Sequence, residues 1–180
     1  MPNNLTPKHI YLEIYNKAHN NAILLLRSSE LLFSKKSYHH AYALAYTALE
    51  EISKSQFAAD VYTRLQSEYD FKKFYLDHKK KLSSVQWAHH DAKNRPKWHG
   101  PDIDDIEVID PDQPSFEKRK ASLYVDVDFL NMKVYTPVNV VTEKDAKDII
   151  HIVEVALQRI FEVSNDEFGT GRIGTKGFMK

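Results

Sequence analysis

Three polar side chains in the segment 38–62 have types and a spacing that could do chemistry. Glu50 and Glu51 are adjacent, and Lys54 follows within one helical turn. The plain interpretation is a helix-surface ion pair between Glu50 and Lys54. Helical geometry places Glu51 at the edge of a stripe of small residues and points Glu50 away from that stripe. A buried Glu51 would need a partner from another helix, because an unpaired buried charge costs roughly 3–5 kcal/mol.

His78 is the candidate partner for Glu51. It lies on the apolar face of a helix predicted from about Phe71 to His90, and Lys81 follows it by three residues. A histidine on such a face is either a hydrogen-bonded core residue or a catalytic group. A contact with Glu51 between antiparallel helices would satisfy both side chains and shift the imidazole pKa, as a functional site requires.

Other polar groups make poor metal sites. The histidine pairs at 39–40 and 89–90 are adjacent in sequence, so on a helix they point about 100° apart and cannot converge on one ion. Asp126 and Asp128 could face the same way on an extended segment, but two carboxylates without a third ligand indicate a solvated strand edge rather than a Mg²⁺ site. We therefore expect no metal and no cofactor.

These side chains must be positioned by helices. Thr6 followed by Pro7 is a good helix start, and an apolar stripe continues to about Phe33. The segment 38–62 is apolar nearly all round, which is typical of a buried helix, and we place it at the centre of a bundle or against a second subunit. A last helix is predicted from the capping-box-like Thr142 to about Val163.

The regions between and after these helices have a different composition. Residues 91–117 contain four of the seven prolines and many acids, which indicates a long loop within the domain. Residues 118–128 suit a short helix followed by an extended segment, and Pro137 is expected to block regular structure after it. The glycine-rich segment 164–180 contains GTGRIG, but no strand precedes it and no helix follows, so a flexible tail is the better interpretation.

Length and composition indicate the class of protein. The chain has 180 residues, 42% of them hydrophobic, which suits a single all-α domain over 1–163, an antiparallel bundle of four to five helices. It has no cysteine, and its 25 basic residues balance its 25 acidic ones. No net field attracts nucleic acid or a membrane, so RNA binding would need a local patch, and no DNA binding is expected. Without a leader or a run of about 18 apolar residues, we expect a cytoplasmic protein.

Several motifs in order resemble one family. They are ALEEISKSQ at Ala48–Gln56, DHKKK at Asp77–Lys81 and RKASLYVD at Arg119–Asp126, followed by a proline and a capped final helix. From about Ile14 to Leu157 this set resembles the AbiV branch of the HEPN superfamily. The resemblance implies an antiparallel helical bundle, often dimeric, with a role in abortive infection, in which a cell shuts down its own machinery when phage replicate. Many HEPN domains are metal-independent ribonucleases.

The resemblance also implies a set of site residues. The acidic-pair-plus-lysine motif falls on Glu50, Glu51 and Lys54, the histidine and lysine on His78 and Lys81, and the arginine and tyrosine on Arg119 and Tyr124. The chain departs from the pattern of catalytic HEPN nucleases, which carry an arginine and then a histidine with four to six residues between them. Here Arg95 reaches His99 across only three residues, and Arg119 reaches Tyr124, not histidine, across four.

Two functions remain open. In the first, the protein cuts RNA without a metal: a base takes the 2′-hydroxyl proton, a cation stabilises the phosphorane and an acid protonates the leaving oxygen. The roles fall on His78 as base or acid, Glu51 as its orienting group, Arg119 with Lys54 or Lys81 on the phosphate, and Tyr124 as a second donor. In the alternative, a non-enzymatic homodimer inhibits translation by binding a host or phage protein.

Overall fold

The computed structural model describes residues 7–62, 64, 66–77 and 115–164. Within these ranges the protein is mostly helical, with one small antiparallel sheet, and the predicted all-α class is confirmed. The helices are α1 (Pro7–Ser34), α2 (Tyr38–Tyr62), α3 (Glu68–Tyr75), α4 (Phe116–Ala121), α5 (Pro137–Val140) and α6 (Glu143–Ser164), and the strands are β1 (Asp126–Asp128) and β2 (Lys133–Tyr135). The predicted tail beyond 164 and most of the predicted loop lie outside the described residues, although α4 begins at Phe116, inside the expected loop.

Helix α2 is the centre of the fold, as its composition predicts. Its buried residues lie on all of its sides, and a core of its alanines, tyrosines and leucine packs against α1 and α6. A buried hydroxyl also joins the first two helices, since Ser29 Oγ donates to the Ala41 carbonyl at 2.7 Å. Alanine side chains at Ala41, Ala45 and Ala48 are fully buried, which allows the neighbouring helices to approach closely.

A tight turn joins α1 to α2. The Ser37 amide donates to the Leu32 carbonyl at 2.9 Å and the Lys36 amide to the Phe33 carbonyl at 2.8 Å, the two bonds of a Schellman motif. Lys36 has a φ of 60°, in the left-handed region that glycine adopts at this position with least strain.

Replacing Lys36 by glycine should therefore stabilise the protein by about 0.5–1 kcal/mol, because the β-carbon strain of the left-handed conformation is removed. Urea unfolding followed by circular dichroism measures the change. The matched control is Lys35→Gly, one residue earlier, where φ is not positive and the added backbone freedom should destabilise the protein instead. Equal effects of the two substitutions would contradict the strain at Lys36.

Helix α3 packs on the carboxyl-terminal part of α2. Phe57 stacks on Phe74 with ring centroids 4.2 Å apart, and Tyr11 of α1 meets Phe71 edge to face at 5.2 Å. Tyr11 and Phe71 belong, with Tyr15, Val61 and two alanines of α2, to a second hydrophobic cluster, and Phe57 packs against it. One end of the bundle is therefore held by aromatic contacts between three helices.

The predicted helix from Phe71 to His90 is wrong in its bounds. The helix begins earlier, at Glu68, because the Ser67 hydroxyl caps it by accepting from the Asp70 amide at 3.1 Å. It ends at Tyr75, and Leu76 and Asp77 are not helical. The Asp77 amide donates to the Phe74 carbonyl at 3.0 Å, so the chain closes with a tighter three-residue bond where the helix ends. His78 and Lys81 lie outside the described residues.

After α4 the chain forms a β-hairpin, and the predicted short helix with an extended segment is confirmed. Strands β1 and β2 pair with Val127 opposite Val134. The turn is built on Asp128, whose carboxylate accepts from the Leu130 and Asn131 amides, each at 3.0 Å. Asp128 therefore has a structural role in the turn.

The expectation that Pro137 blocks regular structure is wrong. Pro137 is the first residue of the short helix α5, a position where its missing N–H is not needed and its fixed φ already suits a helix. The predicted capping box is confirmed at the start of α6. The Thr142 hydroxyl accepts from the Asp145 amide at 3.1 Å, and an Asp145 carboxylate oxygen accepts from the Thr142 amide at 2.9 Å.

An ion pair joins α4 to α6. Lys118 Nζ lies 2.5 Å from Asp145 Oδ1, and both side chains are about four-fifths buried, with 22% and 18% of their surfaces exposed. Burial raises the pKa of Asp145, but the hydrogen bonds from Lys118 and Thr142 outweigh it and lower that pKa below its usual value. This pair holds α4, which carries Arg119, against the bundle.

Helices in the described ranges include none with the length and apolar content needed to cross a membrane.

Candidate functional site

The structure brings together a tyrosine, a carboxylate and a guanidinium between α2 and α4. Tyr46 and Glu50 lie one turn apart on α2 and are 0% and 5% exposed. Arg119, in the last turn of α4, places its Cζ atom 6.0 Å from the centroid of the Tyr46 ring and 6.0 Å from that of Phe116. We call Tyr46, Glu50 and Arg119 the Tyr46 cluster.

Charges on both sides act on the Tyr46 hydroxyl. Burial is the main cause that raises its pKa to about 12, the negative charge of Glu50 contributes to the rise, and the positive charge of Arg119 opposes it. Burial also raises the pKa of Tyr42, one turn earlier, with Tyr46 and Asp145 adding to the shift. Tyr46 therefore stays protonated at neutral pH and can act as a hydrogen-bond donor but not as a base.

Two donors of the Tyr46 cluster have no hydrogen-bond acceptor within the described ranges. They are the buried Nε–H of Arg119 and the buried hydroxyl of Tyr46. Buried donors are normally satisfied, and leaving one unsatisfied costs about 1–3 kcal/mol. An oxygen-rich ligand group at this position would relieve that cost.

An alkaline titration should detect the burial of Tyr46. Its pKa is raised from 10.0 to about 12 in the folded protein, so the folded chain retains a proton that the unfolded chain loses in this range. The stability that Tyr46 contributes is therefore fully present below pH 10 and lost as the pH rises towards 12. Difference spectroscopy of tyrosinate should show that Tyr46→Phe removes one late-titrating group.

Tyr124→Phe is the control for this titration. It removes a tyrosine that is 65% exposed, and it should leave the late part of the curve unchanged. If instead Tyr46→Phe removes an early-titrating group, the burial of the Tyr46 hydroxyl is contradicted.

The structure corrects the expected environment of Glu50. Glu50, predicted to point away from the stripe of small residues and, in the plain interpretation, to pair with Lys54 at the helix surface, is buried in the Tyr46 cluster. Glu51 is partly buried, and it is Glu51 that forms the ion pair with Lys54. The reason is that the side of α2 that carries Tyr42 and Tyr46 is itself covered, so Glu50 follows those tyrosines into the core.

Glu51 and Lys54 line a separate pocket between α1, α2 and α3. This α1–α3 pocket has a volume of about 950 Å³. Lys54 Nζ lies 5.4 Å from the centroid of the Tyr75 ring, which forms part of the opposite wall. The adjacent residues Glu50 and Glu51 of α2 therefore lie in two different environments. Glu50 lies in the buried Tyr46 cluster and Glu51 lines the open pocket.

The predicted site residues are only partly brought together. Arg119 and Glu50 both act on the Tyr46 hydroxyl, whereas in the described part of the chain no contact joins Arg119 to Glu51. Tyr124 follows α4 in an exposed turn. The predicted contact between His78 and Glu51, and the phosphate-binding role of Lys81, involve residues outside the described ranges and stay predictions.

Sequence reasoning missed Tyr46 as a site residue. The available signal was the spacing of Tyr42, Tyr46 and Glu50 at i, i+4 and i+8, which places two phenols and a carboxylate in one row on a helix. That row was interpreted as an apolar second side of the helix, and Glu50 was treated only as a supporting residue.

The β-hairpin and the residues around it form a strongly apolar exposed surface. We define the hairpin surface as the exposed large apolar side chains of this segment, which are Leu123, Tyr124, Val125, Val127, Phe129, Leu130, Met132, Val134, Tyr135 and Val138. Phe129 and Leu130 at the turn are 80% and 96% exposed. Contiguous apolar patches of this kind are typical of surfaces that bind another protein.

Within the described ranges, no three histidine, aspartate or glutamate side chains lie close enough together to hold a metal ion.

The family of the chain follows from a match that covers most of its length. The family model of AbiV, a HEPN-type family, matches residues 10–158. The chain belongs to the AbiV family. This match confirms the resemblance seen in the motifs from Ile14 to Leu157 and identifies an abortive-infection protein of the HEPN type. Among curated proteins and among solved structures, none matches the chain.

Within the AbiV match, the structure gives the family motifs a physical basis. The acidic pair lies on the central helix α2, and the arginine lies on α4, which the Lys118–Asp145 ion pair holds against the bundle. Among the described residues, charged groups from the acidic-pair and arginine motifs both act on Tyr46, where α2 and α4 meet.

Proposed function

We propose that this AbiV protein acts in abortive infection by cutting RNA without a metal, at a variant HEPN site centred on Arg119. The observation that carries the proposal is the Tyr46 cluster, where a guanidinium from α4 lies over the ring of the buried Tyr46 and keeps an unsatisfied Nε–H donor. A guanidinium with an unused donor is suited to a phosphate oxygen.

The residues of the Tyr46 cluster have different roles in the proposed reaction. The rings of Tyr46 and Phe116 lie on the Arg119 guanidinium and restrict its position, so that its charge is already oriented when a phosphate arrives. Tyr46 remains protonated and can donate to a phosphate oxygen or to a bridging water. In this proposal neither Tyr46 nor Arg119 removes a proton, so the base is another residue of the chain.

His78 is the proposed base. It takes the proton of the RNA 2′-hydroxyl, the 2′-oxygen attacks the adjacent phosphorus, and the bond from phosphorus to the 5′-oxygen breaks. Arg119 stabilises the negative phosphorane, and an acid returns a proton to the leaving 5′-oxygen. The products are a 2′,3′-cyclic phosphate and a 5′-hydroxyl. Tyr124, five residues after Arg119 and exposed, is the proposed second donor.

The first experiment is to incubate the purified full chain with a labelled single-stranded RNA in excess EDTA and to identify the product ends. We expect fragments with 2′,3′-cyclic phosphate and 5′-hydroxyl ends, and we expect His78→Ala to abolish them. Cleavage that EDTA abolishes would contradict the metal-independent reaction. RNA that stays intact, while the same chain arrests growth when expressed in bacteria, would overturn the nuclease proposal.

A second function is favoured by the hairpin surface. A homodimer could arrest translation by binding a host or phage protein through these exposed apolar side chains, without chemistry. Leu130→Ser should then relieve the growth arrest while total RNA is unchanged in both strains. Because Leu130 is 96% exposed, this substitution should not disturb the fold. Relief of arrest by His78→Ala but not by Leu130→Ser would favour the nuclease.

A further inference from the structure

The α1–α3 pocket lies on a different face of α2 from the Tyr46 cluster. Glu50 and Glu51 are adjacent, so their side chains diverge by about 100° on the helix, and only Glu51 lines the pocket. At about 950 Å³ the pocket falls within the size range of ligand sites, about 300–1,000 Å³. Nothing in the proposed cleavage reaction uses this space.

The walls of the pocket are largely apolar and open to solvent. Ile10 and Ile14 of α1 form one wall along two turns, and Phe71, Tyr75 and Leu76 form the facing wall. Ile10 is 48% exposed, Tyr75 47% and Leu76 81%. A concave apolar surface of this kind favours a ligand with an apolar body, which would remove the surface from water.

Three lysines and two glutamates line the pocket, so one lysine has no acidic partner among the lining residues. Glu13 pairs with Lys17 at 2.6 Å, and Glu51 pairs with Lys54. Lys72, which also lines the pocket, forms no ion pair with any residue that the structure describes. The pocket therefore has two neutralised pairs and a single positive charge at the edge of an apolar cleft.

We propose that the α1–α3 pocket binds an amphiphilic monoanion, a molecule with an apolar body and one carboxylate, sulfonate or phosphate group. The apolar body lies between Ile14 of α1 and the aromatic wall of α3, and the anionic group pairs with Lys72. Lys54 holds the Tyr75 ring in place from the floor of the pocket through its contact with the ring face.

The test uses one fluorescent probe and two competitors on the purified full chain. The probe is 8-anilinonaphthalene-1-sulfonate, whose fluorescence rises in an apolar site. The competitors are decanoate, which has an alkyl body, and naphthalene-1-sulfonate, which has an aromatic one. We expect one saturable site for the naphthalene probe. Displacement by decanoate would show that an alkyl body is accepted, whereas displacement by naphthalene-1-sulfonate alone would restrict the ligand to an aromatic body.

Charge reversal at adjacent lysines provides the matched control. Lys72→Glu should weaken binding of the naphthalene probe by about tenfold or more, because an attraction becomes a repulsion. Lys73→Glu makes the same change on the next residue, which does not line the pocket and lies over the Tyr69 ring at 4.3 Å, and should change binding less than about twofold. Ile10→Glu, at the exposed wall, should weaken binding as strongly as Lys72→Glu.

Three results would overturn the proposal. The first is the lack of a saturable site in the wild type. The second is an equal effect of the two lysine reversals. The third is loss of the fluorescence signal in Leu130→Ser rather than in Ile10→Glu, which would place the probe on the hairpin surface. Circular dichroism of each variant confirms that the fold is retained, and all four substituted positions are exposed.

Discussion

Replacing Arg119 by alanine is expected to lower the rate of RNA cleavage by about 100-fold or more, the usual effect of removing one donor that stabilises transition-state charge. The guanidinium is the cation that α4 brings to the Tyr46 cluster, and Tyr46 cannot take over its charge because it stays a neutral phenol. The measurement is the initial rate of cleavage of a labelled single-stranded RNA, with the thermal unfolding temperature of each variant recorded beside it.

Lys120→Ala is the control for this substitution. It removes the next basic residue of α4, whose side chain is 54% exposed and pairs with Glu117 three residues earlier. We expect the rate to change less than about twofold, since exposed ion pairs of this kind contribute little. Arg119→Lys should recover part of the lost rate, because the charge returns without the planar fork of donors. An equal loss of rate in the lysine control and in Arg119→Ala would show that α4 contributes only general positive charge.

Replacing Leu49 by alanine is expected to destabilise the protein by about 2–5 kcal/mol, which is a large part of the stability of a small domain. Leu49 is fully buried in the core that α2 forms with α1 and α6, so its removal loses transfer free energy and leaves a cavity. Urea unfolding followed by circular dichroism gives the change in the free energy of unfolding.

Leu31→Ala is the same substitution at a position on α1 that is 61% exposed. We expect an effect within about 0.5 kcal/mol, as for most surface changes. If the two leucine variants unfold at the same urea concentration, the central position of α2 is contradicted. The comparison also separates the loss of fold from the loss of chemistry, since neither leucine belongs to the Tyr46 cluster or to the α1–α3 pocket.

The sequence by itself determined the helical class and the main helices. Period-3.6 stripes of apolar residues with clear caps predicted α1 from Pro7 and α6 from Thr142, because these signals are local and each requires only its own segment. The central place of α2 also followed from its composition, since a helix that is apolar on all sides can be stable only when it is covered. The motifs spread over the chain were sufficient to indicate the AbiV family.

Tertiary structure decided which polar residues meet. The sequence could not place Glu50, because its burial depends on α4, which is far along the chain and covers the side of α2 that carries Tyr46. It also could not show that Glu51 faces a pocket made by α1 and α3. Helix ends such as that of α3 depend on a balance between weak propensity and packing, and the periodic apolar residues beyond Tyr75 gave no sign of the break.

Pro137 and Asp145 show the same difference between what a local sequence pattern predicts and what only the folded chain decides. The sequence predicted that Pro137 would block regular structure, and only the packed structure shows it starting α5. Asp145 was recognised as a cap of α6 from its spacing to Thr142, a local feature. Its ion pair with Lys118 joins two elements that are distant in sequence, and such pairing is decided only when the whole chain has folded.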